Sequence, residues 1–160
     1  MKSIRLELQR IYDECARQFF TCALAITRSR ESAEDAIHDA FCRSFRLKEA
    51  PKNLKAYMFR SVRNAAIDLR RKQARIVSMS DEYIFNSSVT PQQLLEKKIT
   101  KKEVAQALLE LTDDERETIV QHIYADLTFR EISELRDRPM GTITSWYHRG
   151  INKLRQRMEK

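Results

Sequence analysis

Residues 127–154 read LTFREISELRDRPMGTITSWYHRGINKL, and the order of residue types in this stretch decides the fold. Thr128-Phe-Arg-Glu131 is a capping box: the threonine hydroxyl can accept from the first helical turn while the glutamate reaches back to the threonine N–H. It opens a short helix with Ile132 and Leu135 inward. Asp137-Arg-Pro-Met is a turn, and aspartate tolerates left-handed backbone better than most residues. The longer helix that follows buries Ile143, Tyr147, Ile151 and Leu154, which recur at helical spacing. Thr142, Thr144, Ser145, Trp146 and Arg149 are left facing out, with Arg138 ahead of them in the turn. A short capped helix, a tight turn and a longer basic helix form the outline of a helix-turn-helix. One helix of such a pair braces on the DNA backbone while the other presents its N-terminal residues to the major groove, which distinguishes all four base pairs. Hydroxyls there can take phosphates or base edges, and Arg149 can pair with phosphate or guanine. A plain helical hairpin with a solvated basic end has the same pattern, and the residues alone leave that alternative open.

Composition agrees with helices throughout. Two glycines (Gly141, Gly150) and three prolines (Pro51, Pro91, Pro139) cannot supply the turns of a sandwich or barrel in 160 residues. Nor are there glycines close enough together to cradle a nucleotide phosphate. The net charge of +7 suits a polyanionic partner. Its distribution is uneven. Residues 1–74 carry 16 Lys and Arg against 9 Asp and Glu, whereas residues 93–160 carry 13 against 12. The C-terminal part is polarised, with six basic residues from Arg138 onward and only Glu159 opposing them. No early apolar run resembles a signal peptide and Phe19–Ile26 is too short to span a bilayer, so a cytosolic protein without membrane insertion is expected. Cys15, Cys22 and Cys42 are then expected to stay reduced and pack as small hydrophobes. His38 and Cys42 stand four apart, but two ligands do not make a metal site. No cofactor is expected.

Upstream, Ile4, Leu8, Ile11, Cys15, Phe19, Cys22 and Ile26 mark one stripe of a long first helix. A second helix is expected from Ser32, with Ser32 and Asp35 as its capping pair, burying Ile37, Phe41 and Phe45. Its outer face shows Glu34, His38, Asp39 and Arg43. Pro51 and Asn53 give a break and a cap, and a third helix runs to about Arg75 with Leu54, Met58, Val62, Ala65 and Leu69 inward. Lys52 and Asn53 precede it. Lys55, Tyr57, Phe59, Arg60, Arg63, Asn64 and Arg71 lie along it outside that stripe. From Ile76 to Thr90 the periodicity fails and the chain reads as a polar tether, able to span at most about 50 Å. Thr90-Pro91 caps a further helix to about Leu111. Thr112-Asp-Asp-Glu115 is a second capping box, with Ile119, Val120 and Ile123 as the next buried stripe. The expected fold is all-α: two small helical domains, 1–75 and 91–160, joined by a linker over 76–90.

Several segments resemble a known family. Leu127-Thr-Phe-Arg-Glu-Ile-Ser, then Gly141-Thr-Ile-Thr-Ser and His148-Arg-Gly, are similar to the region-4 signature of extracytoplasmic-function (ECF) sigma factors, in the sigma-70 family of bacterial RNA polymerase. Leu109-Glu-Leu-Thr-Asp-Asp-Glu-Arg116 resembles the lead into that domain. Ala33-Glu-Asp-Ala-Ile-His-Asp-Ala-Phe41 is similar to the region-2 helix that docks on the clamp of the polymerase's largest subunit. Arg63-Asn-Ala-Ala-Ile-Asp-Leu-Arg-Arg71 resembles the signature bordering the downstream promoter element.

The resemblance implies a non-catalytic initiation factor whose partners are core polymerase (clamp and flap), promoter DNA and an anti-sigma factor. It assigns core contact to Glu34, Asp35, His38, Asp39 and Arg43. Minus-10 recognition and melting go to Lys52, Asn53, Lys55, Tyr57, Arg60, Arg63, Asn64 and Arg71, with loop 47–53 as the pocket for a flipped base. Minus-35 recognition goes to Arg138, Thr142, Thr144, Ser145, Trp146 and Arg149. Unstacking costs a few kcal/mol per base, and stacking on an aromatic can return about 1–3 kcal/mol. Tyr57 and Phe59 could supply such stacking, or both could be core.

There are departures from the family pattern. Trp146 stands where arginine is usual, Thr144 where a basic residue is frequent, Ser133 for alanine, Asp137 for a turn glycine, His38 for glutamine. A tryptophan at 146 can touch a thymine methyl or sugar, or fold back onto Tyr147 and the core. A helix-turn-helix regulator that binds operators without joining polymerase is the rival reading, though it leaves the first half unexplained. A helical nucleic-acid enzyme fits less well, because His38, His122 and His148 are scattered.

Overall fold

The structure, a computed structural model, describes residues 2–73 and 101–159; Arg75, the tether 76–90 and the Thr90-Pro91 cap lie outside the described residues. Among the described residues all regular structure is helical, in two compact units, each with its own core.

In the first unit α1 (Lys2–Thr27), α2 (Arg30–Ser44) and α3 (Leu54–Gln73) each pack on the other two. The stripe of α1 is buried from Leu8 to Ile26, and every residue from Thr21 to Thr27 is covered. The hydroxyls of Thr21 and Thr27 donate back to the carbonyls of Arg17 and Ala23 at 2.8 and 3.0 Å, so these buried polar groups are satisfied within the helix. Phe41 meets Tyr12 and Phe19 edge-on, at 5.3 and 5.6 Å between centroids, and Phe59 lies 4.5 Å from Phe19. Such offset arrangements suit the ring quadrupoles.

Three expectations change in this unit, and the open choice at Phe59 is decided. Helix α2 starts before Ser32: Arg28 turns the chain at φ 55° and Ser29 is the cap, its hydroxyl accepting from Ser32 N–H at 3.2 Å. Ser32 is itself buried and accepts from the Gln73 side chain, pinning the start of α2 to the end of α3, while Asp35 is exposed. The buried face of α2 is rotated by about one residue, to Ala33, Ala36, Ala40 and Ser44 beside Phe41. These small side chains let the backbone of α2 come close to its neighbours, leaving Phe45 at the C-cap and 41% exposed. Cys15 and Cys22 are buried, but Cys42 is exposed on the outer face, its Sγ 3.5 Å from His38 Nε2. Phe59 is core, 4% exposed in the aromatic cluster.

The second unit comprises α4 (Lys101–Leu109), α5 (Asp113–Ile119) running on into a π-helical turn (Val120–Tyr124), α6 (Phe129–Arg136) and α7 (Met140–Glu159). Only half of the Thr112 box forms. Its hydroxyl accepts from Glu115 N–H at 3.2 Å, but the Glu115 carboxylate faces Lys153 of α7 at 2.7 Å. Ile119 and Val120 are buried as expected, whereas Ile123 is 42% exposed. The π turn is the reason. Ala125 N–H reaches back to Val120 O (3.1 Å) and Leu127 N–H to Gln121 O (3.0 Å), which rotates Ile123 out and Gln121 in. Gln121 then donates to Glu117 Oε1 at 3.0 Å. In α7 only Ile143 and Gly150 are fully buried; Tyr147, Ile151 and Leu154 are half-buried on the same side.

Candidate nucleic-acid interface

The helix-turn-helix is formed by α6, three turn residues and α7. Thr128 and Glu131 make the complete capping box, at 3.1 Å for the hydroxyl and 3.0 Å for the carboxylate. Asp137 ends α6 in the left-handed region (φ 52°, ψ 51°), as read from the sequence. Ser133 holds the turn: its carbonyl accepts from Arg138 N–H at 3.1 Å, and its hydroxyl donates to Arg138 O at 2.5 Å, a contact that alanine could not make. Pro139 O then accepts from Thr142 and Ile143 N–H, starting α7.

Behind this turn sits a charged core. Arg136, with its side chain 3% exposed, donates to Thr118 Oγ1 at 2.7 Å and to Asp114 Oδ1 at 2.5 Å, and faces Glu117 Oε2 at 3.3 Å. The Trp146 ring covers the same guanidinium, 4.5 Å from its carbon to the ring centroid. A buried arginine is tolerable only when so matched. Beside it, His122 donates through Nδ1 to Leu127 O (2.8 Å) and stacks on Phe129 at 4.2 Å, with Tyr147 edge-on to both. Tyr124, in the same π turn, has its hydroxyl pKa raised by burial.

The surface of α7 divides by helical spacing. Thr142, Ser145 and Arg149 fall on one strip, the last two exposed and Thr142 half-buried. Arg138 is exposed in the turn ahead of them. Thr144 is not brought to this strip: it lies on the opposite flank and its hydroxyl donates to Gly141 O at 3.1 Å. Trp146 lies on the near flank, turned toward Arg136. His148 and Asn152 are exposed on the outward arc with Ser145 and Arg149. The sequence reading passed over them although their spacing marked them. It also missed Arg136, for which no local signal exists.

In the first unit Tyr57, Arg60, Asn64 and Arg71 recur at three, four and seven residues and so share one face of α3; Tyr57 is half-buried and the other three are exposed. Half-buried Arg63 flanks them, and Lys55 projects from the first turn on another side. Exposed Lys52 stands in the preceding loop. Asn53 is the cap of α3, its Oδ1 accepting from Ala56 N–H at 3.0 Å, which leaves its Nδ2 donors for other work. On α2, Glu34, Asp35, His38, Asp39 and Arg43 occupy the outward half, with Asp39 and Arg43 paired at 2.8 Å and Glu34 paired with Arg30 at 3.4 Å. Among the described residues no three metal-ligating side chains come together, and no helix is long and apolar enough to cross a membrane.

Two helical units, the second carrying a helix-turn-helix with an exposed basic strip, define a DNA-binding protein. The sigma-70 region 2 family matches residues 11–76 and the sigma-70 region 4 family matches residues 101–154. Similar relatives include the ECF RNA polymerase sigma factor SigM of Bacillus subtilis, 24% identical over 92% of this chain and 99% of the relative. Another is the ECF RNA polymerase sigma factor SigL of Mycobacterium tuberculosis, 23% identical over 96% of this chain and 89% of the relative. Among solved structures, the sigma factor RpoE in complex with the anti-sigma factor NepR, from Bartonella quintana, matches with a TM-score of 0.72. It is 25% identical, covering 99% of this chain and 98% of that one. The chain belongs to the sigma-70 family, as an ECF member: a promoter-recognition factor of transcription initiation.

Proposed function

We propose that this chain joins core RNA polymerase and directs it to promoters through a two-point grip, without catalysing a reaction of its own. One observation carries the reading: a region 2 match and a region 4 match lie in that order on one chain, each over a unit with an outward helix face of suitable chemistry. The outer face of α2 (Glu34, Asp35, His38, Asp39, Arg43) meets the polymerase clamp. Tyr57, Arg60, Arg63, Asn64 and Arg71 of α3, with Lys52, Asn53 and Lys55, hold the minus-10 element as it opens. Arg138, Thr142, Ser145 and Arg149 meet the minus-35 element. The two regions span 1–75 and 91–160, with 76–90 as the tether between them. The protein acts in the cytoplasm, where the polymerase is, and an anti-sigma partner restrains it, as the RpoE complex illustrates for that protein.

Run-off transcription with purified core polymerase tests this. A promoter-specific transcript that depends on the added chain is expected. Its absence, together with DNA binding by the chain alone, would instead identify an operator-binding regulator.

A further inference from the structure

We propose that Trp146 is a positioning residue that reads no base: it clamps the recognition helix onto Arg136 and leaves upstream sequence discrimination to Thr142, Ser145 and Arg149. The proposal rests on the reading of α7 as the minus-35 helix.

The geometry is particular to this pair. Arg136 is the last residue of α6 and its guanidinium is already anchored to α5 through Asp114, Glu117 and Thr118. The free face of that planar cation is covered by the indole of α7, at 4.5 Å. One side chain therefore joins three helices, and the α7 end of the junction is Trp146. A desolvated guanidinium against an indole is a favourable cation–π arrangement, and it strengthens as water is excluded. A cation at position 146 would instead face the buried charge of Arg136. An indole engaged by its face toward the protein offers the DNA only one N–H donor and no acceptor. Bidentate pairing with a base edge, the strongest form of readout, is closed to it. Thr142, Ser145 and Arg149 occupy the adjoining strip and carry the hydroxyls and guanidinium that such readout uses.

The test uses holoenzyme reconstituted from core polymerase and the full chain, bound to promoter fragments carrying each single base-pair change across the upstream element. Trp146→Leu should lower affinity for every fragment by a similar factor, about three- to thirtyfold, leaving the order of preference intact. Trp146→Phe, which keeps a ring over Arg136, should recover most of that loss. Arg136→Gln should also give a loss uniform across the fragments, at least as large because it releases α5 as well, and adding Trp146→Leu to it should cost little more. A loss confined to one base pair in either Trp146 variant would overturn the proposal, as would a phenylalanine variant no better than leucine. If the leucine variant does not fold, the preference profile of the phenylalanine variant decides: unchanged order supports positioning, one altered base pair defeats it. Failure of the wild-type chain to support any promoter-specific transcript would defeat the sigma reading itself, which is a separate outcome.

Discussion

Gly150 of α7 lies against Ile119 of α5 so closely that a Cβ on Gly150 would stand 2.5 Å from Ile119 Cδ1. Both residues are buried, and the crossing brings the second half of the recognition helix onto the centre of its unit. Glycine inside a helix costs about 0.5–1 kcal/mol relative to alanine. Gly150→Ala recovers that term but forces Ile119 into another rotamer within a filled core. No net gain is expected in the wild-type background, and a loss of up to about 1 kcal/mol. Ile119→Val removes the obstructing methyl, at a cost of roughly 0.5–1.5 kcal/mol. In that background Gly150→Ala should stabilise by about 0.5–1 kcal/mol. Denaturant unfolding of the four proteins, followed by emission of Trp146, the one tryptophan of the chain, measures the difference. Additive effects would show that this contact does not explain the glycine.

Asp137 holds the left-handed position between α6 and α7 without being glycine. An L-residue there costs about 1–2 kcal/mol, somewhat less for aspartate, and its negative charge sits at the unfavourable end of the α6 dipole. Asp137→Gly should therefore raise stability by a few tenths to about 1 kcal/mol, and Asp137→Val should lower it by more. Thermal unfolding of both variants checks the sign. A glycine variant less stable than wild type would mean that the carboxylate contributes a contact outweighing the strain.

These two sites show what was legible beforehand and why. The capping box at Thr128, the turn at Asp137 and the cap at Asn53 follow from local chemistry, so residue order alone revealed them. The exposure of Phe45 and Cys42 depends on which face α2 turns inward, set by Ala33, Ala36, Ala40 and Ser44 together, and the burial of Phe59 on its packing against Phe19 of α1. Ile123 was misread because a π turn breaks the 3.6-residue period on which the reading relied. Arg136 drew no reading from the sequence. Its burial exists only because Asp114, Glu117, Thr118 and Trp146 converge from two other helices, and nothing near Arg136 in sequence announces them.

Burial raises the pKa of Tyr124 above its ordinary value of 10.0. The folded state thus holds this proton more tightly than the unfolded chain does. The contribution is whole below pH 10.0 and is lost as pH climbs through the raised folded value. Tyr124→Phe has no proton to lose, so its stability should fall less steeply above pH 10.0 than that of wild type. Urea midpoints read from Trp146 emission across the alkaline range compare the slopes. Parallel slopes would place the titration elsewhere.

The two ends of the grip should fail differently. Arg149 is exposed on the outward strip of α7, whereas polymerase contact is proposed for α2. Arg149→Ala should weaken upstream-element recognition while core-polymerase binding is retained. If the lost contact is to phosphate, the salt dependence of promoter binding should drop by about one unit of slope. Lost core binding would contradict the assignment. Tyr57 shares the α3 face with Arg60, Asn64 and Arg71 and is half-buried. Tyr57→Ala should slow strand opening more than closed-complex formation, because a stacked base contributes only once the duplex has parted. The stake is about 1–3 kcal/mol, roughly five- to a hundredfold in the opening equilibrium. Tyr57→Phe keeps the ring and should open promoters nearly as well as wild type. Equal losses in both steps for Tyr57→Ala would instead make Tyr57 part of the first unit's core.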